Sequence, residues 1–191
     1  MTKRLFDIVF SALGLILLSP VYLIIYIGLK LTCKGPAFFV QERIGKGGRP
    51  FNIYKFRTMI VNGEQDGVPQ LAEIDDERLT SMGRFLRAHH LDELPQLWNV
   101  LKGDMSFIGP RPERQYFINQ IMERDPRYAE LYKIRPGVTS YATLYNGYTD
   151  TMEKMLRRLE LDLYYLEHQS WAFDMKILFK TFTNIIFGKK F

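Results

Sequence analysis

The chain has 191 residues, which is the length of one domain or of one domain with an appendage. Hydrophobic residues make up 47% of it and charged residues 25%, a composition that excludes disordered and collagen-like proteins. The net charge is +5, and acidic residues concentrate between positions 64 and 78. Because Cys33 is the single cysteine, the sequence excludes an intrachain disulfide framework and a cysteine-based metal site, and it fits a reducing compartment.

An uncharged run from Ile8 to Leu29 dominates the N-terminal part of the chain. A straight helix of this length reaches roughly 33 Å, enough to span a bilayer core. Pro20 predicts a bend, because its ring clashes with the carbonyl of Ile16, and the Ser19 hydroxyl can satisfy a carbonyl freed there. Basic residues flank the run on both sides, whereas a spanning helix shows a one-sided bias. A spanning helix and a re-entrant hairpin both stay open, and a signal peptide is disfavoured.

Two strand-like runs follow, Ala37–Val40 and Phe51–Tyr54, and the glycine-rich turn at Gly45–Gly48 between them predicts a small β-hairpin. Beyond the second run, Lys55 and Arg57 alternate with apolar residues and therefore share one face of an extended chain. A solvated basic edge also explains this face. The glycine-rich turn matches neither of the nucleotide-binding fingerprints.

Residues 62–77 are polar and acidic and predict a mobile surface loop. A short amphipathic helix is predicted next, over Arg78–His90. Its apolar side is predicted to consist of Leu79, Met82, Phe85 and Leu86.

A further helix is predicted to begin at an acidic pair, Asp92 and Glu93, and to run for about ten residues until Gly103. Asp92 suits the N-cap, and Pro95 is tolerated in the first turn because the N–H groups there lack helical partners. Capping alone explains both carboxylates. They also suit catalysis, because two adjacent carboxylates can hold a divalent cation and supply a nucleophile for phosphoryl transfer.

Basic residues near this pair favour the catalytic interpretation. Arg87 precedes it, Arg111 lies between two prolines, and Arg135 precedes a Pro-Gly pair. Arginine suits bidentate contact with phosphate. Magnesium is favoured over zinc, because the candidate ligands are carboxylates and no cysteine cluster exists. His89 and His90 lack the spacing of a zinc motif and are interpreted as helix-end or surface residues.

Two apolar stripes at helical spacing predict amphipathic helices near the end of the chain. The first indicates ordinary core packing and consists of Met152, Met155, Leu159, Leu163 and Leu166. The second lies within residues 170–190 and consists of Trp171, Met175, Leu178, Phe179, Phe182, Ile185 and Ile186. Its basic side is supplied by Lys176, Lys180, Lys189 and Lys190. This second helix suits either a membrane headgroup boundary or the protein core, and both stay open.

Four stretches of the sequence resemble the bacterial sugar transferases, and more narrowly the small monotopic phosphoglycosyl transferases that start glycoconjugate assembly on undecaprenyl phosphate. They are KRLFDIVFSALGLILLSP, QERIGKGGRPFNIYKFRTM, LDELPQLWNVLKGDMSFIGPRPE and KIRPGVTSY, and together they run in order through almost the whole chain. The third stretch is the most specific. Larger members of the family carry extra N-terminal transmembrane helices, so this chain is expected to be the minimal form.

Patterns and resemblance together predict an α+β fold that is mostly helical, with interfacial amphipathic helices and a small β-hairpin. The resemblance implies a re-entrant membrane helix-break-helix over residues 1–34, broken at Ser19 and Pro20. Residues 35–191 then form a cytoplasmic and interfacial catalytic domain. The expected location is the cytoplasmic face of the inner membrane, with monotopic attachment to membrane lipid.

The resemblance also implies a reaction and its residues. A sugar 1-phosphate moves from a UDP-sugar to undecaprenyl phosphate through a covalent aspartyl intermediate, and UMP is released. Asp92 is the implied nucleophile, and Glu93 and Asp92 are the implied ligands of Mg²⁺. The implied phosphate-binding residues are Lys55, Arg57, Arg87, Arg111 and Arg135. Nucleic acid is disfavoured as a partner, because the basic residues are scattered among apolar interface helices and match no recognition module.

One segment, residues 138–148, departs from the family pattern. Tyr141 stands in place of a tryptophan, Thr143 in place of a glutamine and Tyr148 in place of an arginine. Since this segment lies near the nucleotide-sugar site in family members, the sequence leaves the sugar open, along with the glycan pathway, the polyprenyl length and a monomeric or homodimeric state. Two rival hypotheses are a membrane-bound Mg²⁺-dependent phosphohydrolase using the same acids and a non-enzymatic scaffold that binds anionic lipid.

Overall fold

The computed structural model describes residues 2–61, 69–71, 76–147 and 149–187. The helices are α1 (Thr2–Leu17), α2 (Ser19–Thr32), α3 (Ser81–Ala88), α4 (Gln96–Lys102), α5 (Gln115–Met122), α6 (Tyr141–Asn146), α7 (Met152–Glu167) and α8 (Trp171–Ile186). The strands are β1 (Phe38–Ile44), β2 (Pro50–Phe56), β3 (Ser106–Ile108) and β4 (Gly137–Thr139). The prediction of a mostly helical fold with a small β-hairpin is therefore confirmed.

Some predictions fall outside the described residues. They concern most of the acidic segment 62–77, Tyr148, the side chain of Ile186, Lys189 and Lys190.

The described residues form two compact units. The first contains the chain up to Gln41 together with Ile53–Lys102, and the second contains Glu42–Asn52 together with the chain from Gly103 onward. The boundaries fall within β1 and β2, which pair with each other as predicted. A 3₁₀ turn at Lys46–Gly48 joins these strands, and Gly47 adopts a φ of 71°, which glycine permits without strain.

In the first unit, α1 and α2 meet at Leu18 with a bend of 58°. Pro20 lies in the first turn of α2, where its missing N–H costs no helical hydrogen bond. The Ser19 hydroxyl donates to the carbonyl of Ile16 at 2.7 Å, so this carbonyl is satisfied despite the proline. The helix is thus interrupted where the sequence places its Ser-Pro pair. Within the described ranges, no single helix is long and apolar enough to cross a membrane. The bent pair of α1 and α2 meets both criteria when its two helices are taken together.

Much of the exposed surface of α1 and α2 is apolar, and the buried residues of α1 are polar. Leu5, Ile16 and Leu17 are 64–73% exposed, whereas Asp7 and Ser11 are buried. On α2, Leu31 is likewise 81% exposed, but the buried residues Ile25 and Leu29 are apolar. The pattern of α1 reverses the usual arrangement of a water-soluble protein, in which apolar stripes face the core.

Helix α1 packs along α4 in the first unit. The Arg4 guanidinium donates to the carbonyls of Val100 and Leu101 at 2.6 and 2.8 Å, so it caps the C-terminal end of α4. Further along, a Cβ on Gly14 would lie 2.9 Å from Leu97 Cδ1, which shows how closely the two helices approach. Helix α1 therefore contacts α4 near both ends of α4.

Helix α3 is shorter than predicted. The hydroxyl of Thr80 accepts a hydrogen bond from the N–H of Gly83 at 2.9 Å and starts the helix at Ser81. Leu86 is fully buried, but Phe85 is 52% exposed. The predicted apolar side is thus only partly buried, because helical spacing identifies an apolar face without showing what covers all of it.

The second unit contains a parallel pair of short strands, β3 and β4, which sequence patterns did not predict. Gly109 and Gly137 allow the two backbones to approach, since a Cβ on Gly137 would lie 2.1 Å from the N atom of Gly109. On α7, Met155, Leu159 and Leu163 are buried, which confirms the predicted core packing of this stripe.

Helix α8 buries a face different from its apolar stripe. Its buried residues include Asp174, which accepts a hydrogen bond from the hydroxyl of Tyr165 at 2.6 Å, and Ile177. By contrast, Phe179 and Phe182 of the stripe are 70% and 61% exposed, and Trp171 is 45% exposed. Most of the stripe therefore does not pack against the rest of the described chain.

A buried ion-pair network centred on Glu113 holds the second unit together. Glu113 Oε1 accepts a hydrogen bond from Arg43 Nη1 at 2.6 Å, and Oε2 accepts one from Arg158 Nη2 at 2.7 Å. The N–H of Arg114 donates to the same carboxylate at 3.0 Å. Burial alone raises the pKa of Glu113, but Arg158 and Arg43 outweigh it and lower this pKa to about 2.

We expect the substitution Glu113→Gln to lower the free energy of unfolding at pH 7 by about 3 kcal/mol, because it leaves the buried guanidinium of Arg158 and the partly buried one of Arg43 without their anion. The pKa of Glu113 is lowered on folding, so its stabilisation is present above pH 4.5 and is lost as the pH falls towards 2. The difference between variant and wild type therefore shrinks over that range. Chemical unfolding of the full chain in detergent at pH 7 and pH 3 measures it.

The matched control is Glu130→Gln, which removes an exposed carboxylate that pairs with Lys133. It is expected to change stability by less than about 0.5 kcal/mol. An equal destabilisation by Glu113→Gln at both pH values would contradict the role of the charge.

Candidate active site

The acidic pair lies in a 3₁₀ turn, Leu91–Glu93, and not in the first turn of an α-helix as predicted. His90 causes the difference: it adopts a left-handed conformation, with φ 55° and ψ 18°, and so changes the chain direction directly before the pair. Asp92 is consequently not an N-cap, and α4 begins only at Gln96. Gly103, with a φ of 96°, follows the end of α4 as predicted.

The turn places one carboxylate inside the first unit and the other beside a cation. Asp92 is only 6% exposed. The Nζ of Lys55 donates to Glu93 Oε1 at 2.6 Å, and both side chains are less than one-fifth exposed. The N–H of Tyr54 donates to Asn99 Oδ1 at 3.1 Å, which fixes β2 against α4 and so brings Lys55 to Glu93.

Arg57 and Arg87, two of the predicted phosphate-binding residues, belong to the same unit. The N–H of Arg57 donates to the carbonyl of Ala37 at 2.8 Å. Its Nη1 is buried and has no hydrogen-bond acceptor among the described residues. A buried guanidinium N–H without an acceptor costs about 1–3 kcal/mol, and an anion would remove this cost. Arg87 lies in the last turn of α3, three residues before His90.

Gln96 is a candidate residue that sequence reasoning missed. It is 2% exposed, and within the described part of the chain its Nε2 makes no hydrogen bond although it is buried. Like Arg57, it is therefore a buried donor available to an oxygen of a ligand. The sequence signal that could have identified Gln96 is its position one turn after Asp92.

Of the five predicted phosphate-binding residues, Arg111 and Arg135 belong to the second unit. Arg135 Nε donates to the carbonyl of Gly103 at 2.8 Å. Arg111 lines a small cleft together with Tyr128, Tyr132 and Pro136. The structure thus groups Lys55, Arg57 and Arg87 with the acidic pair in one unit, and Arg111 and Arg135 in the other.

Asp162, on α7, supports the backbone of Arg111. Its carboxylate accepts hydrogen bonds from the backbone N–H groups of Arg111 and Ala142. Burial raises the pKa of Asp162 to about 7, although Arg158 acts in the opposite direction. Sequence patterns did not indicate this residue, because its contacts are distant along the chain.

The acidic pair fits the ligand chemistry of Mg²⁺, which prefers carboxylate oxygens and is commonly held by one or two of them together with water and phosphate oxygens. The described residues contain no group of three or more His, Cys, Asp or Glu side chains that could enclose a metal ion. Asp92 and Glu93 could therefore hold a magnesium ion only together with oxygens of water or substrate.

Comparison with known proteins agrees with the resemblance of the sequence. The family described as bacterial sugar transferase matches residues 1–188. The chain is 42% identical to the UDP-N-acetylgalactosamine-undecaprenyl-phosphate N-acetylgalactosaminephosphotransferase of Aeromonas hydrophila, covering 97% of this chain and 44% of the relative. It is 45% identical to a UDP-glucose:undecaprenyl-phosphate glucose-1-phosphate transferase of Klebsiella pneumoniae, covering 94% of this chain and 39% of the relative.

A third relative, the UDP-glucose:undecaprenyl-phosphate glucose-1-phosphate transferase of Caulobacter vibrioides, is 42% identical over 96% of this chain and 69% of its own length. The chain spans less than half the length of the first two relatives. Since the family match extends over nearly every residue and includes the acidic turn described above, the chain belongs to the bacterial sugar transferase family.

Proposed function

We propose that the chain is a polyprenyl-phosphate sugar-1-phosphate transferase, which moves a sugar 1-phosphate from a UDP-sugar to undecaprenyl phosphate and releases UMP. The acidic turn carries the proposal: buried Asp92 stands beside Glu93, whose carboxylate is paired with Lys55. The relatives' names, which specify transfer from UDP-glucose or UDP-N-acetylgalactosamine to undecaprenyl phosphate, support the choice of substrates.

In the first step, a carboxylate oxygen of Asp92 attacks the phosphorus that carries the sugar. The bond from this phosphorus to the bridging oxygen breaks, and its electron pair leaves with UMP. The product is an acyl phosphate that links Asp92 to the sugar phosphate. The burial of Asp92 supports this role, because limited access of water protects such an intermediate from hydrolysis.

In the second step, a non-bridging oxygen of the lipid phosphate attacks the same phosphorus. The bond to Asp92 breaks, which restores the carboxylate and leaves the sugar on a polyprenyl diphosphate. No proton has to move in either step, so catalysis depends chiefly on the position of the reactants and on neutralisation of phosphate charge.

The basic residues of the site supply this neutralisation. Arg57, with its buried Nη1, and Arg87 are suited to the phosphates in the first unit, while Lys55 holds the Glu93 carboxylate in place. The resemblance implies the same role for Arg111 and Arg135, which belong to the second unit. Mg²⁺, held by Glu93 and Asp92 with substrate oxygens, would neutralise negative charge on the diphosphate when bound.

We expect Asp92→Asn to abolish both UMP release and the phosphosugar-enzyme adduct, because an amide is a far poorer nucleophile than a carboxylate. The assay measures UMP from UDP-glucose and from UDP-N-acetylgalactosamine, with and without undecaprenyl phosphate, and the adduct is detected by intact-protein mass spectrometry. Glu123→Gln, at an exposed carboxyl, is the control and retains wild-type turnover.

Two results would contradict this assignment. A phosphosugar adduct that persists in Asp92→Asn would remove Asp92 from the nucleophile role. Release of sugar phosphate to water at the same rate without undecaprenyl phosphate would instead favour the phosphohydrolase hypothesis.

We further propose that residues 1–34 form a re-entrant membrane hairpin and that residues 35–191 form the catalytic domain on the cytoplasmic face of the inner membrane. The apolar surface of α1 and α2, the buried Asp7 and Ser11 of α1, and the 58° bend support a helix pair that enters the bilayer and returns. Lysines at both flanks suit two ends on the same side. The exposed aromatic stripe of α8 suits the headgroup boundary.

Cysteine labelling tests this topology directly, because Cys33 is the only cysteine of the chain and lies just after α2. Cys33 reports one end of the hairpin, and Thr2→Cys in a Cys33→Ser background reports the other. We expect an impermeant maleimide to label both in inside-out vesicles and neither in intact spheroplasts. Glu123→Cys in the same background is the control for the cytoplasmic side. Labelling of the two ends from opposite sides would establish a spanning helix.

A further inference from the structure

Helix α7 holds the loop that carries Arg111 from one face. Arg158 Nη2 donates to Glu113 Oε2 at 2.7 Å, and the Asp162 carboxylate accepts the backbone N–H of Arg111. Residues 158 and 162 are four apart and therefore lie one above the other on the same side of the helix. The loop is thus attached to α7 at a backbone group of Arg111 and at the side chain of Glu113.

The attachment consists of buried ionisable groups, which is an expensive way to fix a loop. Arg158 and Glu113 are 7% and 6% exposed, and Asp162 is 1% exposed. Asp162 Oδ1 is buried and finds no hydrogen-bond partner among the described residues. Buried ionic groups commonly contribute less stability than apolar residues of the same volume. Stability alone therefore does not explain the presence of these groups.

The same carboxylate also reaches the segment that departs from the family pattern. Asp162 accepts the N–H of Ala142, in the first turn of α6, as well as that of Arg111. One buried side chain thereby contacts two backbone positions, those of Arg111 and Ala142. Pro110 and Pro112, which flank Arg111, restrict the loop further by fixing their own φ angles.

We propose that Arg158 and Asp162 are positioning residues for the donor diphosphate: they fix the backbone of Arg111 so that its guanidinium is held at the cleft that it lines. This inference rests on the proposed function, in which Arg111 contacts phosphate. A guanidinium on a prearranged backbone loses less conformational freedom when it binds an anion. The pair should therefore act on affinity for the nucleotide diphosphate more than on the turnover number.

Titration calorimetry with UDP and the full chain in detergent tests the proposal. We expect Asp162→Asn to weaken UDP binding about tenfold and to raise KM for the donor with little change in kcat. Glu160→Gln is the matched control, since Glu160 is an exposed carboxylate on the same helix that pairs with Arg127. It should leave UDP affinity unchanged.

A double-mutant cycle separates positioning from a general structural effect. If Asp162 acts through Arg111, then Asp162→Asn has no further effect on UDP affinity in an Arg111→Ala background. An equal loss in both backgrounds, or wild-type affinity in Asp162→Asn, would overturn the proposal while leaving the transferase function intact. If Asp162→Asn does not fold, Arg158→Lys is used in the same cycle, with the same criteria.

A different experimental result would refute the proposed function. A wild-type protein that neither binds UDP nor releases UMP from a UDP-sugar would refute the transferase function and, with it, this inference.

Discussion

The packing of α1 on α4 is the contact on which the proposed chemistry depends most. Arg4 caps the end of α4 through two carbonyls, Gly14 allows close approach near Leu97, and the acidic turn lies at the opposite end of the same short helix. A carboxylate that reacts with a lipid phosphate must be held at the depth of the headgroups. Under the proposed function, the contact between α1 and α4 fixes Asp92 relative to the apolar helices and so supplies this depth.

Charge is arranged differently in the two units. In the first, Glu93 pairs with Lys55, and the same unit contains buried donors of Arg57 and Gln96, which suits a site that receives anions. In the second, the buried carboxylates of Glu113 and Asp162 are used to fix backbone and arginines around the loop of Arg111. The first arrangement is suited to catalysis, and the second is suited to fixing the position of a binding residue.

Local sequence patterns predicted the features that depend on neighbouring residues. Alternation and glycines identified the hairpin, the Ser-Pro pair identified the bend, and the stripe of α7 identified core residues. The 3₁₀ turn at Asp92 was missed, because a left-handed histidine leaves no mark in the sequence. The pairing of Glu113 with Arg43 and Arg158 was missed because it joins residues distant along the chain. The roles of the site residues stay predictions, since they follow from resemblance and chemistry.

Isotope exchange tests the central claim, a covalent aspartyl intermediate, most directly. Labelled UMP is incubated with the enzyme and an unlabelled UDP-sugar in the absence of undecaprenyl phosphate. The account predicts that the label enters the UDP-sugar, because the first step is complete and reversible without the lipid. Exchange that occurs only when the lipid is present, in an enzyme that performs the full transfer, would show that donor and acceptor react directly and would contradict the account.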